Sequence, residues 1–327
     1  MRTPFIVLVL ACVACGSPGP ATPVARMGSS PPVTSAATAD SRVAPGPVPT
    51  AAASAAPPQW LGAGDGTPVD AGSAAPACPA GEVWVPPTSP EGFVMSKGIK
   101  GEHRVILTHG FCMDANEVSV RDYVRCMDAG ACKEPWRGDP QSTYPAKLDY
   151  PVNMVGWNKA REYCAWAGER LPTEAEWEWA ATGPDQTRYP WGDEPEPSCD
   201  YVDYTKFGAP KWAAGADVGC GGGGPSAVGA HPKGDKVWPG GAIHDLAGNV
   251  WEWVEDSFAP FAADTVTDPV VRTSAAVHGL RGGGWNRSYA AMVVTYRGAA
   301  AFTYQVPALG FRCVRGEALP PPSPARE

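Results

Sequence analysis

The chain predicts an α+β domain with little regular secondary structure, held together by disulfides. Short β-like runs alternate with three helical segments that carry local caps or apolar stripes. Of ten cysteines, Cys12 and Cys15 sit in the leader and eight remain, an even number in a chain whose start reads as an export signal. Between Tyr189 and Asp245 periodicity gives way to Gly, Pro and Asp. A segment of that length inside a compact domain has to be tied down by something other than secondary structure.

Taken in order, residues 1–15 combine Arg2 with an apolar run from Phe5 to Ala14 that is too short to span a bilayer, which predicts a signal peptide. Ala14-Cys15-Gly16-Ser17 resembles a bacterial lipoprotein processing site, with Cys15 as the lipidated residue and Cys12 as the alternative. Residues 16–77 are almost entirely Ala, Pro, Gly, Ser, Thr and Val. So few large apolar groups cannot offset the entropy of ordering, and the stretch is expected to be a disordered tether. A lipid followed by such a tether predicts an exported domain held off a membrane of the bacterial cell envelope, periplasmic or outer-membrane.

The folded part is expected over 78–316, followed by a Pro-rich tail over 317–327. It opens with β-like runs at Cys78 to Val85 and Arg104 to His109. Ser119, with Asp122 three residues on, caps a helix that Gly130 stops. A second helix is expected from Lys159 to Ala167, capped by Asn158. In the third, Thr173 and Glu176 form a capping box and Gly183-Pro184 ends the run. Glu174 and Glu176 suit the positive end of that helix, a structural use that outweighs a catalytic carboxylate pair. Short strand-like runs, among them Met292 to Tyr296, close the domain.

The net charge of −8 and pI near 5.2, without clustered Lys and Arg, exclude nucleic acid as a partner. For the disulfides, local spacing favours Cys126 with Cys132 and, more weakly, Cys199 with Cys220; the other pairings stay open. Among the eight cysteines of the folded part no Cys-x-x-Cys pair occurs, and no two histidines lie at ligand spacing, which argues against a thiolate or imidazole metal centre. Two motifs organise the rest. Asp245-Leu-Ala-Gly-Asn-Val-Trp-Glu-Trp253 is a turn feeding large rings, spaced to aim Trp251 and Trp253 inward and carboxylates elsewhere. Arg281-Gly-Gly-Gly-Trp-Asn-Arg287 allows a close backbone approach, so the two are expected to meet in a crowded centre. The cleft beside Trp285, Asn286, Arg287, Ser288 and Tyr289 is the candidate ligand site, and Glu252 and Asp256 are the weak catalytic candidates.

Glu117-Val-Ser119, Pro151-Val-Asn-Met-Val-Gly-Trp157, Cys164-Ala-Trp-Ala-Gly-Glu-Arg-Leu-Pro-Thr-Glu-Ala-Glu-Trp177, Tyr189-Pro-Trp-Gly192, Gly248-Asn-Val-Trp-Glu-Trp253, Arg281-Gly-Gly283 and Gly310-Phe-Arg312 occur in this order. Together they resemble the formylglycine-generating enzyme family, also called the sulfatase-modifying factor domain, over nearly all of residues 78–316. The resemblance implies an irregular α+β fold related to C-type lectins, stabilised by disulfides and calcium. It implies calcium ligands at Asp245 and Glu252 through side chains and at Gly248 and Val250 through carbonyls, with a looser second site near Asp203 and Tyr204. It also implies a Cys164 to Cys313 disulfide, which leaves Cys78 with Cys112.

The resemblance breaks at its chemistry. Members of that family use two cysteines just after an Arg-Gly-Gly-Ser motif to bind copper and oxidise a substrate cysteine, work that suits soft thiolates. Here Gly284 stands at the motif serine, the segment is shortened around Asn286, and Ala290 aligns with the second cysteine. Copper is therefore not expected. The expected function is that of a membrane-anchored pseudoenzyme, meeting the membrane through its N-terminal lipid and binding a peptide, glycan or protein in the cleft. The alternative is a copper-independent periplasmic oxidase or tailoring enzyme of the PvdO type.

Overall fold

The computed structural model describes residues 76–205, 220, 223–261, 264–273 and 276–319. The signal peptide expected over 1–15, the lipidation candidates Cys15 and Cys12, the tether of 16–77 up to residue 75, and the tail beyond 319 lie outside the described residues. So do Gly221, Gly222 and residues 206–219 of the irregular stretch.

Strand β7 (Trp251–Ser257) is the centre of the domain, and every one of its residues is buried. It lies in a sheet ordered β10-β9-β7-β11, with β9 at Val277–Arg281, β10 at Gly298–Ala301 and β11 at Leu309–Gly310. Alternation along β7 feeds two cores. Trp251 and Trp253 join Tyr123, Tyr163, Leu171 and Phe311, whereas Val254 joins Phe93, Trp177, Trp179 and Trp238. The expectation that the carboxylates of this motif point away from the interior is corrected. With both faces of the strand covered, Glu252, Glu255 and Asp256 are buried too, and each requires a partner.

Three smaller sheets surround this one. Strand β4 (Phe111–Asp114) pairs with β1 (Glu82–Val85) and β12 (Val314–Arg315), joining the beginning of the domain to its end. Strand β3 (His103–Ile106) pairs with β2 (Phe93–Met95) and β8 (Val266–Thr267). Strands β5 (Lys236–Trp238) and β6 (Gly241–Ile243) form a hairpin across Pro239-Gly240, inside the stretch expected to be irregular. That Pro-Gly pair is a turn signal, and Trp238 buried beside exposed Val237 is a strand alternation that the short length conceals.

Helix α1 (Val120–Asp128) carries the expected Ser119 cap, whose oxygen accepts from Asp122 N. Helix α3 (Glu174–Thr182) has the full Thr173–Glu176 capping box, and all nine of its residues are buried because it packs against β2, β5, β7 and β9. The two glutamates are structural, Glu174 pairing with Arg297 and Glu176 with Arg170. Helix α2 (Trp157–Trp166) starts earlier than expected and is not capped by Asn158; Gly156 is its N-cap, with no side-chain cap. The start is set from a distance. Trp157 N donates to Phe302 O, its indole N–H donates to Val254 O (2.8 Å), and its ring stacks on His278 at 3.7 Å.

Residues 292–296, expected as a strand, form a turn. The guanidinium of Arg281 reaches the carbonyls of Val294 (3.1 Å) and Tyr296 (3.3 Å), so those acceptors serve a side chain and not a ladder. Four disulfides close Cys78 with Cys112, Cys126 with Cys132, Cys164 with Cys313 and Cys199 with Cys220, the pairs named from spacing and from the family resemblance.

Candidate functional site

The two organising motifs meet through their backbones. Gly248 N donates to Gly282 O (2.8 Å) and Trp285 N to Asn249 O (2.7 Å). Such proximity needs bare backbone. Gly248 has φ +80°, and a Cβ there would lie 2.3 Å from Asp203 O; Gly283, at φ +77°, would place one 2.6 Å from Ala291 O. A Cβ on Gly284, where the family motif has serine, would lie 3.1 Å from Trp251 and 3.2 Å from Ala308 O, so the missing side chain is matched by close packing.

Arg281, the first residue of the second motif, is fully buried and pairs with Glu178 below the ring of Trp177. It anchors the segment and is not offered to a ligand. Beyond Gly284 the chain is pinned by Thr205, whose Oγ1 donates to Trp285 O and whose N donates to Arg287 O, both at 2.8 Å. Trp285 is half-buried, and its indole N–H points to Pro307 O at 3.4 Å. Asn286, Arg287 and Tyr289 are exposed, Tyr289 by 39%, and Ser288 is half-buried at the start of a single 3-10 turn. The five predicted ligand residues therefore lie together on one pinned loop, presenting an aromatic ring, a guanidinium and an amide to solvent. A thiol is lacking, for every cysteine among the described residues is in a disulfide.

The catalytic candidates have other employment. Glu252 is fully buried and accepts from Arg312 on both oxygens (2.8 to 2.9 Å) and from Trp177 Nε1 at 2.7 Å. Burial, and after it the charge of Glu174, pushes the Asp256 carboxyl up to about 7. Both its oxygens nevertheless accept backbone N–H groups, from Glu174 at the start of α3 and from Val271 (each 2.8 Å). Each oxygen of both carboxylates already accepts a hydrogen bond from within the protein.

Around the turn lies a buried acidic cluster that sequence reasoning quoted but did not assemble. Glu117, 1% exposed, accepts from Asn249 Nδ2 (2.6 Å) and Val250 N (3.1 Å). Asp245, at φ +56°, accepts from Gly229 N through Oδ2 (2.6 Å). Burial raises both carboxyls, and for Glu117 the charges of Asp245 and Glu252 add to it. Asp203, at the looser second position, accepts from Ser226 Oγ (2.8 Å), and its carbonyl accepts from Asn249 N; the hydroxyl of Tyr204 donates to Pro197 O. Glu117 and Asp245 feel the charge of the Arg312 guanidinium, which hydrogen-bonds Glu252. The hard carboxylate and carbonyl oxygens gathered there are of the kind that suits a divalent cation near Asp245. The commitment of both Glu252 oxygens to Arg312 and Trp177 does not fit Glu252 as one of its ligands.

Residues 73–317 match the model of the sulfatase-modifying factor enzyme 1-like domain. Among curated proteins the chain is similar to "Inactive C-alpha-formylglycine-generating enzyme 2" of Bos taurus, 36% identical over 195 residues, covering 57% of this chain and 58% of that one. It is also 36% identical over 153 residues to the formylglycine-generating enzyme of Mycobacterium tuberculosis, covering 46% of this chain and 48% of the relative. The chain thus spans about half to three-fifths of the relatives it matches. Among solved structures, the fold is similar to PvdO from Pseudomonas aeruginosa (TM-score 0.52, 18% identity, 72% of this chain and 93% of that one). It is equally similar to Treponema denticola variable protein 1 (TM-score 0.53, 19% identity, 72% and 94%).

Proposed function

The chain belongs to the sulfatase-modifying factor enzyme 1-like family, and from that premise we propose that it keeps the family scaffold without the copper-thiol chemistry and serves as a binding protein of the cell envelope. The observation that carries this reading is the cysteine inventory. Every cysteine among the described residues is bonded to another, and residues 282–290, which follow Arg281, contain none. Cu(I) would find no thiolate pair there. The similarity to a relative named inactive agrees.

The binding face in this proposal is the loop of residues 285–289, which takes a peptide, glycan or protein segment against Trp285 and Tyr289. Anchorage through a lipid on Cys15, or on Cys12, is part of the same reading, as is a relation of the fold to C-type lectins. The described residues contain no helix long and apolar enough to cross a membrane. To test the loss of chemistry, oxygen uptake is measured with copper and a cysteine-containing peptide. Uptake equal to that of peptide and copper alone is expected, and conversion of the cysteine to an aldehyde overturns the proposal.

The PvdO-type alternative requires an available base, and the two carboxylates considered for it are held by Arg312, Trp177 and backbone amides. The proposal therefore favours binding.

Calcium belongs to the proposal as a structural ion, held by Asp245 with the carbonyls of Gly248 and Val250. Chelation is then expected to lower the melting temperature by several degrees, calcium to restore it, and Asp245→Asn to diminish that response. Identical melting curves of the native chain with chelator and with calcium would remove the ion from this account.

A further inference from the structure

Away from the Trp285 loop, a cavity of about 340 Å³ opens where β1, β4 and the end of α2 converge, and Glu82, Asp114 and Glu169 line it. The Glu82 and Glu169 side chains are only 6% and 7% exposed. Arg315, reaching in from β12, donates to Oε1 of each at 3.0 Å and so holds the two carboxyls side by side. They also lie within hydrogen-bonding reach of each other. Asp114 is engaged separately, its Oδ2 accepting from Cys313 N at 2.8 Å.

Two ionised carboxylates cannot hydrogen-bond, because each only accepts; one member of such a pair has to keep its proton. If both were ionised, Glu82 Oε2 would be a buried acceptor with no donor, an orphan of the kind that native structures rarely keep. The neighbouring Glu169 carboxyl supplies that donor when it is protonated. The charges then balance as well, for the one guanidinium of Arg315 faces one carboxylate instead of two.

We propose that Glu169 is held as a neutral acid that donates its proton to Glu82, and that this shared proton is a pH-sensitive clasp closing the beginning of the domain onto its end. Glu82 brings β1 to the clasp, Glu169 brings the turn that follows α2, and Arg315 brings β12. The Cys164–Cys313 disulfide ties α2 to the residue before β12, so the clasp sits where the chain is already joined covalently.

Facing Glu169 across this cavity are Asp114 on β4, Asp122 and Arg125 on α1, Glu117, and the Tyr163 hydroxyl on α2. On its other side Glu169 lines a second cavity with Arg161, Arg170, Glu255, Arg272 and Glu317. Burial, then the charge of Asp114 and the bond to Glu82, pushes the Glu169 carboxyl up from 4.5 to about 9, against the pull of Arg315. A carboxyl raised on folding stabilises the folded chain fully below its unfolded value, and that advantage is lost as the pH rises through the folded value. Between about pH 5 and 9 the contribution of Glu169 to the folding constant therefore falls by up to about tenfold per pH unit, and above that range the clasp is open. Burial pushes Asp114 up to about 7, so its own titration ends earlier and leaves the upper part of the range to Glu169.

The test compares the full native chain with Glu169→Gln, whose amide keeps a donor for Glu82 but has no proton to lose. Infrared difference spectra at neutral pH are expected to show the carbonyl band of one buried protonated carboxyl in the native chain, shifted in heavy water and lost above about pH 10. The melting temperature of the native chain is expected to fall relative to that of Glu169→Gln as the pH is raised from about 5 to about 9. Glu82→Gln, which removes a charge that helps Glu169 retain its proton, is expected to end the decline at a lower pH. A purely structural loss lowers stability without moving this profile. A difference spectrum without a protonated carboxyl at neutral pH overturns the proposal. So do melting temperatures of native chain and Glu169→Gln that change in parallel across the range.

Discussion

Arg312→Met is expected to destabilise the domain by about 3–5 kcal/mol, the cost of breaking a buried ion pair by removing one partner. Methionine fills much of the same volume, so the loss reports charge and hydrogen bonding more than a cavity. Fully buried Arg312 gives Nε and Nη2 to Glu252, Nη1 to Asp114 O (3.0 Å) and Nη2 also to His244 O (2.7 Å). Its removal leaves the buried Glu252 carboxyl at the centre of β7 without its cation, takes a donor from the carbonyls of Asp114 and His244, and removes a charge that acts on both Glu117 and Asp245. For a domain of this size the loss corresponds to a fall in melting temperature of roughly 10 °C. Thermal unfolding checks it, and Glu252→Gln with Arg312→Met in a double-mutant cycle isolates the pair. A fall below about 1 kcal/mol contradicts the pairing.

The parts of this architecture that were legible beforehand are those whose causes are local. Ser119 with Asp122 and Thr173 with Glu176 are neighbours on one turn, so α1 and α3 can be read from a few residues. The start of α2 depends on Phe302, far along the chain, and no local pattern announces it. The run 292–296 carries strand-forming residues, yet its carbonyls belong to Arg281; tertiary hydrogen bonding overrides propensity there.

The site divides in the same way. Two glycine-bearing motifs that were expected to meet do so through backbone contacts, because bare backbone is a property visible in the residue type. The roles of Glu252 and Asp256 were not legible, since their partners Arg312, Trp177 and Val271 come from other elements. Arg312 and Glu117 stood in quoted motifs without a role, and only the fold brings both to the turn.

The central claim is that the scaffold persists without the thiol pair on which the family's copper chemistry depends. Its most direct test is a thiol count combined with a Cu(I) titration on the full chain with Cys12 and Cys15 changed to serine. The domain's eight remaining cysteines are all bonded, so no free thiol is expected even after denaturation without reductant. The folded chain is then expected to take no Cu(I) from a competing chelator, an effect of many orders of magnitude against a site built from two thiolates. Two free thiols per chain, with one equivalent of Cu(I) held against the chelator, would contradict the account.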